Sequence, residues 1–252
     1  MRVQFILVFF SSVDRQIVNN VPTSKTVGSD NNSSNPLVSA DTARKYIVVE
    51  GPIGVGKSSL AKKLANTFAS SLLLEKPSEN PFLERFYKTP KRYALPTQLF
   101  FLFQRVRQLA NISQEDMFAP GRVADFMLEK DPLFAQITLD DEEFRLYQQV
   151  FQNLTIDRPE PDLVIYLQAP VNVLKQRIKK RRVKYEQDIE VSYLQKLSDA
   201  YTTYFHRYSQ TSLLIINAEE INPIDNQAHY RALVNQIDRI QGGKHFFNPL
   251  AV

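Results

Sequence analysis

Tyr46-Ile-Val-Val-Glu50 runs directly into Gly51-Pro-Ile-Gly-Val-Gly-Lys-Ser58. The first part is an uninterrupted apolar run, as expected of a parallel strand buried on both faces. The second part fits the spacing G-x-x-x-x-G-K-[ST], and a helical pattern near Lys57–Phe68 follows it. Glycines at such a turn let the backbone curl until its N–H groups point inward at an anion, and the helix behind adds the positive end of its dipole. Lys57 is then placed to neutralise terminal phosphates and the Ser58 hydroxyl to hold Mg²⁺. A chance glycine-rich turn is the bland alternative. The chain has only seven glycines, however, and Gly51, Gly54 and Gly56 are three of them. The stretch Gly51, Pro52, Ile53, Gly54, Val55, Gly56, Lys57 and Ser58, with Ser59 behind it, is therefore expected to cradle the phosphates of ATP.

Outward from this loop the chain alternates strand-like and helix-like segments, the pattern of an α/β fold with a parallel sheet. Five apolar runs read as strands, at Tyr46–Glu50, Leu72–Glu75, Arg122–Phe126, Leu163–Gln168 and Leu213–Asn217. Helical patterns lie near Asn80–Tyr87, Thr97–Ile112, Glu142–Leu154, Val171–Arg181, Glu190–Tyr208 and Asn226–Ile240. The expectation is a P-loop NTPase fold, a five-stranded parallel sheet flanked by helices, in one domain over residues 45–252.

Residues 1–44 read differently. The apolar run Val3–Phe10 is too short for a membrane span, which needs roughly 20 residues, and the Asn- and Ser-rich stretch Asn19–Ser39 lacks periodicity. Arg2 before the run faintly resembles a secretory signal. A disordered extension is the simpler reading. The absence of cysteine excludes disulfides, thiolate zinc sites and cysteine nucleophiles, and three histidines (His206, His229, His245) leave little for a metal cluster. A net charge of +4 suits an anionic ligand but falls short of a nucleic-acid binder. A cytoplasmic protein, with neither nucleic acid nor membrane as partner, is expected.

The acceptor of any phosphoryl group should lie at the carboxyl ends of the other strands. Glu75 ends the second run and could take the proton of an attacking hydroxyl. Taken alone it reads more simply as a capping or surface glutamate. Its context changes that. Glu75-Lys-Pro-Ser-Glu-Asn-Pro-Phe-Leu-Glu-Arg-Phe-Tyr87, Lys91-Arg-Tyr-Ala-Leu-Pro-Thr-Gln-Leu-Phe-Phe-Leu-Phe-Gln-Arg105, Lys130-Asp-Pro-Leu-Phe-Ala135 and the segment Arg177–Leu197 together resemble the deoxynucleoside kinase family, in its bacterial deoxyadenosine/deoxyguanosine kinase form. The resemblance covers Tyr46 to the C-terminus.

It implies that Glu75 lies beside the sugar 5′-hydroxyl of a deoxynucleoside, Tyr87 at the 3′-hydroxyl, Gln98 on the base and Arg105 in the same pocket. Phe82, Phe86 and Phe101 would serve as walls for the base or simply as core. Two departures stand out. Relatives commonly carry an acidic-Arg-Ser/Thr triplet after the third strand, where this chain has Val123-Ala-Asp-Phe126. Asp125 takes the acidic role, near Mg²⁺ or the reacting hydroxyl, and no arginine follows it. Lys130 stands near a position where relatives read the base with an aspartate, and the alignment across Ala124–Lys130 is open by one residue.

Lys175, Arg177, Lys179, Lys180, Arg181, Arg182 and Lys184 crowd one segment. A solvated helix face, a nucleic-acid patch and a lid over the triphosphate all fit a charge run. The resemblance favours the lid, with Arg177 and Arg181 as phosphate clamps, Glu186 returning to the sugar and Val183 standing where some relatives have a further arginine. It also sets Glu219, Glu220 and Ile221 against the adenine of ATP. The apolar helix Thr97–Ile112 is expected to pair two copies into a homodimer. Two other readings remain: a nucleoside monophosphate kinase of the thymidylate kinase type, and a P-loop module without kinase activity.

Overall fold

β1 (Tyr46–Glu50) is buried at every position and lies at the middle of a parallel sheet. The computed structural model describes residues 46–113, 121–154 and 160–248, so the extension expected over 1–44 lies outside the described residues. The other strands are β2 (Ser71–Leu73), β3 (Arg122–Ala124), β4 (Leu163–Gln168), β5 (Ser212–Asn217) and β6 (Lys244–Phe247), in the order β2-β3-β1-β4-β5-β6. Every pairing is parallel. Six strands are present where five were expected. The sixth was missed because Lys244-His-Phe-Phe247 is short and mostly exposed, so it lacks the apolar run of a central strand.

The two faces of the sheet feed two cores, as the side-chain period of two requires. Ile47, Val49, Ile165, Leu167, Leu214 and Ile216 pack on one side with α1 (Lys57–Thr67) and α8 (Gln227–Arg239). Tyr46, Val48, Val164, Tyr166, Leu213 and Ile215 pack on the other with α7 (Val191–Arg207). Tyr166 stacks on Phe205 there, with centroids 4.3 Å apart.

The remaining helices build the wall of the site: α2 (Leu83–Lys88), α3 (Pro90–Ser113), α4 (Asp131–Thr138), α5 (Asp141–Asn153) and α6 (Val171–Arg181). The helix α3 begins well before Thr97 and carries Pro96 inside it. Proline forfeits one helical hydrogen bond, and packing of α3 against α2, α4 and α5 keeps the helix going. α5 starts at a capping box, with Asp140 accepting from the Glu142 and Glu143 N–H groups. Among the described residues no helix is long and apolar enough to cross a membrane.

Candidate active site

Three strand ends converge at the carboxyl edge of the sheet, bringing Glu50 and Gly51 from β1, Glu75 from just beyond β2 and Asp125 from just beyond β3. The glycine-rich turn adopts the conformation its sequence demands. Gly51 has φ 148° and Gly54 φ 87°, values side chains rarely tolerate. At Gly51 a Cβ would stand 2.3 Å from the Leu167 carbonyl oxygen, and at Gly54 it would stand 2.9 Å from that of Leu174. The Lys57 ammonium donates to the Gly51 carbonyl at 2.7 Å and to that of Pro52 at 3.3 Å, holding the loop in its curl. Burial pushes the Lys57 ammonium below its usual range, and the neighbouring Lys130 charge pushes the same way.

Ser58 and Asp125 meet at the cradle's edge. The Ser58 hydroxyl donates to Asp125 Oδ2 at 2.5 Å, and Asp125 Oδ1 accepts the Glu75 N–H at 2.7 Å. Asp125 thus ties the phosphate loop to the end of β2. Its partner in sequence, Phe126, is fully buried among Leu102, Leu109 and Tyr147, so no polar group at that position could reach the site. No cluster of three or more acidic or histidine ligands occurs among the described residues. Two oxygen donors beside a phosphate loop nevertheless fit Mg²⁺, which keeps most of its shell as water and phosphate oxygens.

A cavity of about 290 Å³ opens from this point, lined by Lys57, Ser58, Glu75, Tyr87, Gln98 and Arg105, with Arg181 and Glu186 at the side of the lid. A second, of about 340 Å³, lies over the glycine-rich turn. Gly54, Lys57, Ser58 and Arg181 line both, so the two spaces share a wall.

Within the first cavity Arg105 is almost wholly buried. Its guanidinium donates through Nε, at 2.9 Å, and through a second nitrogen to Glu75 Oε1, and it pairs with Asp131 Oδ1. Burial works against the Glu75 charge, but Arg105, Lys130 and Lys57 override it and hold the carboxyl down to about 2. Gln98 is buried and makes no side-chain hydrogen bond among the described residues, so its amide is free for a ligand. Phe86 and Phe101 line the cavity, whereas Phe82 packs outside it under Arg85. Tyr87 stacks nearly parallel to Tyr185 at 6.2 Å.

Lys130 lines the same cavity. Its ammonium lies 3.3 Å from Glu50 and 3.5 Å from Glu75, at the floor of the strand ends, and Asp131 instead faces Arg105. Leu128–Lys130 is a 3-10 turn leading into α4, and this tight winding sends neighbouring side chains in different directions. Arg177 and Arg181 of the lid segment both line the space over the phosphate turn. Arg181 pairs with Glu186, through Nε at 3.0 Å, a contact the sequence does not announce. Arg177 donates to the carbonyls of Val55 at 3.1 Å and Ala218 at 2.6 Å, bonds that hold it beside that space. In the loop after β5, Glu219 and Glu220 are exposed and Ile221 is buried in the core. Asn222, Ile224 and Asp225 are the residues of this loop that line the space over the phosphate turn.

Two site residues escaped the sequence reading. Asp131 follows Lys130 and pairs with the cavity residue Arg105. Glu50 closes β1, and a carboxylate ending a fully buried strand was the signal that could have revealed it.

The family model for deoxynucleoside kinases matches residues 47–241. The chain belongs to the deoxynucleoside kinase family. Among curated relatives, it is 35% identical over 158 residues to a deoxyguanosine kinase of Bacillus subtilis (strain 168), covering 62% of this chain and 76% of that one. It is 30% identical over 208 residues to a deoxyadenosine kinase of Lactobacillus acidophilus, covering 77% and 95%. The fold of this deoxynucleoside kinase matches that of the M. mycoides deoxyadenosine kinase solved with the products dCMP and a flexible dCDP bound, at TM-score 0.68 and 24% identity over 77% of this chain and 100% of that one.

Proposed function

We propose that the protein transfers the γ-phosphoryl group of ATP to the 5′-hydroxyl of a purine deoxynucleoside. The observation that carries this is the shared wall: a phosphate cradle with Lys57 and Ser58 opens directly onto a pocket floored by the ionised Glu75. The acceptor hydroxyl lies against Glu75 Oε2, which takes its proton as the P–O bond forms. Lys57 and Arg181 meet the charge on the transferred group, while Ser58 and Asp125 would hold Mg²⁺, which supplies charge neutralisation at the phosphates. Positioning and electrostatics are the main contributions in such transfers. Tyr87 and Glu186 face the sugar, and Gln98, Arg105 and Asp131 the base. Asp131 Oδ2 is buried without a partner, an acceptor suited to a ring or exocyclic N–H. The purine assignment leans on the names of the relatives, deoxyguanosine and deoxyadenosine kinases.

A monophosphate kinase would need cations to spare for the acceptor's phosphate. At the acceptor end Arg105 and Lys130 are both committed to Glu75. The test is transfer of labelled γ-phosphate to the four deoxynucleosides and their monophosphates. Label is expected on deoxyadenosine or deoxyguanosine. Label on monophosphates alone, or ATP hydrolysis without any acceptor, would overturn the assignment.

We also propose a cytoplasmic homodimer joined through α3. Phe103 on that helix is 48% exposed, a large apolar side chain left facing outward. Sedimentation at micromolar concentration should show a two-chain species, and a monomer there would refute the pairing.

A further inference from the structure

A buried lysine is costly unless its charge is met. Lys130 is 2% exposed, and its ammonium stands 3.3 Å from Glu50 Oε1 and 3.5 Å from Glu75 Oε1. The two carboxylates differ in kind. Glu50 is fixed on all sides: Oε2 accepts the Gly51 N–H at 3.1 Å and the Tyr201 hydroxyl at 3.0 Å, and Oε1 accepts the Met127 N–H at 2.8 Å. It is part of the frame and touches both the phosphate turn and the segment after β3. Glu75 borders the cavity, and only one of its oxygens is held. Arg105 and Lys130 both approach Oε1, and Oε2 has no partner among the described residues.

The two cations are not equivalent. Arg105 is shared between Glu75 and Asp131, and both it and the cavity wall lie where a base must enter. A ligand group reaching Asp131 therefore competes for the same guanidinium. Lys130 is outside that competition, because its second partner is the framework residue Glu50.

We propose that Lys130 is a positioning residue for phosphoryl transfer: anchored on Glu50, it pins Oε1 of Glu75 so that Oε2 stays turned toward the acceptor hydroxyl whatever Arg105 does. This rests on Glu75 being the acceptor of the hydroxyl proton. A lysine serving only to neutralise Glu50 would affect folding without acting through Glu75.

The test is a cycle of Lys130→Met, Glu75→Gln and the double variant, with kcat and both KM values measured at saturating substrates and melting curves recorded for each. Lys130→Met in the otherwise native chain should lower kcat about ten- to hundredfold, the size expected of a misaligned reacting group. The KM for ATP should stay within about twofold, and Lys130→Arg should recover most of the loss. In the Glu75→Gln background the same change should cost little more, because the group it positions has gone. Equal losses in both backgrounds, or native kcat in a folded Lys130→Met protein, would overturn the proposal. If Glu75→Gln keeps native kcat, the base assignment itself has failed. Should Lys130→Met melt too low to assay, Lys130→Gln is read by the same criteria, since it keeps an N–H donor for Glu50 but cannot span both carboxylates.

Discussion

Replacing Glu75 with glutamine is expected to lower kcat by about 10²–10⁴-fold, the usual contribution of a general base. The change keeps the shape of the side chain but removes both its charge and its basicity. ATP should bind almost as before, because the cradle at Gly51–Ser58 is formed by its own backbone and by Lys57. Asp125 is poorly placed to substitute: it is oriented by the Ser58 hydroxyl and the Glu75 N–H, beside the position proposed for Mg²⁺. A carboxyl held down to about 2 is a weak base at neutral pH. It suits a loose transition state in which the hydroxyl keeps its proton until the phosphoryl group is nearly transferred. Single-turnover rates with saturating deoxynucleoside measure the effect, with circular dichroism as a check on the fold. A native rate would remove Glu75 from the chemistry.

Lys57→Ala should be more damaging to transfer than to structure. Removing one preorganised cation from a developing anion costs about 10²–10³-fold in comparable sites, and here the loss also frees the Gly51 and Pro52 carbonyls that the ammonium holds. Both kcat and ATP affinity should fall. The apolar contacts of α1 are made by Leu60, Ala61, Leu64 and Ala65, so the circular dichroism spectrum should be unchanged. Near-native activity in a folded variant would mean that the phosphates lie elsewhere.

Much of this is legible in the amino-acid sequence. The strands β1, β3, β4 and β5 inside the sheet announce themselves because burial on both faces demands apolar runs, and the spacing of Gly51, Gly54, Gly56 and Lys57 leaves little choice of loop. What escaped reading has physical causes. β6 is an edge strand with Lys244 and His245 in it, so it carries no such run. Pro96 marks a boundary by its usual chemistry, yet here neighbouring helices carry α3 through it. Lys130 and Asp131 are adjacent, yet spacing alone does not show that the 3-10 turn before α4 sends the lysine to Glu50 and Glu75 and the aspartate to Arg105. Sequence displays the charge of Arg177 but not the carbonyls of Val55 and Ala218 that hold it beside the space over the phosphate turn.

Gly54 has a mechanical meaning as well as a conformational one. With the Leu174 carbonyl and Ile178 pressed so near that no side chain fits between, the root of α6 sits on the loop like a lever on its fulcrum. The far end of that lever carries Arg181, joined to Glu186 at the acceptor's mouth. A tilt imposed at one end is felt at the other, and the resulting energy is the same counted from either side. Whatever tightening the deoxynucleoside brings to the triphosphate, the triphosphate returns to the deoxynucleoside in equal measure.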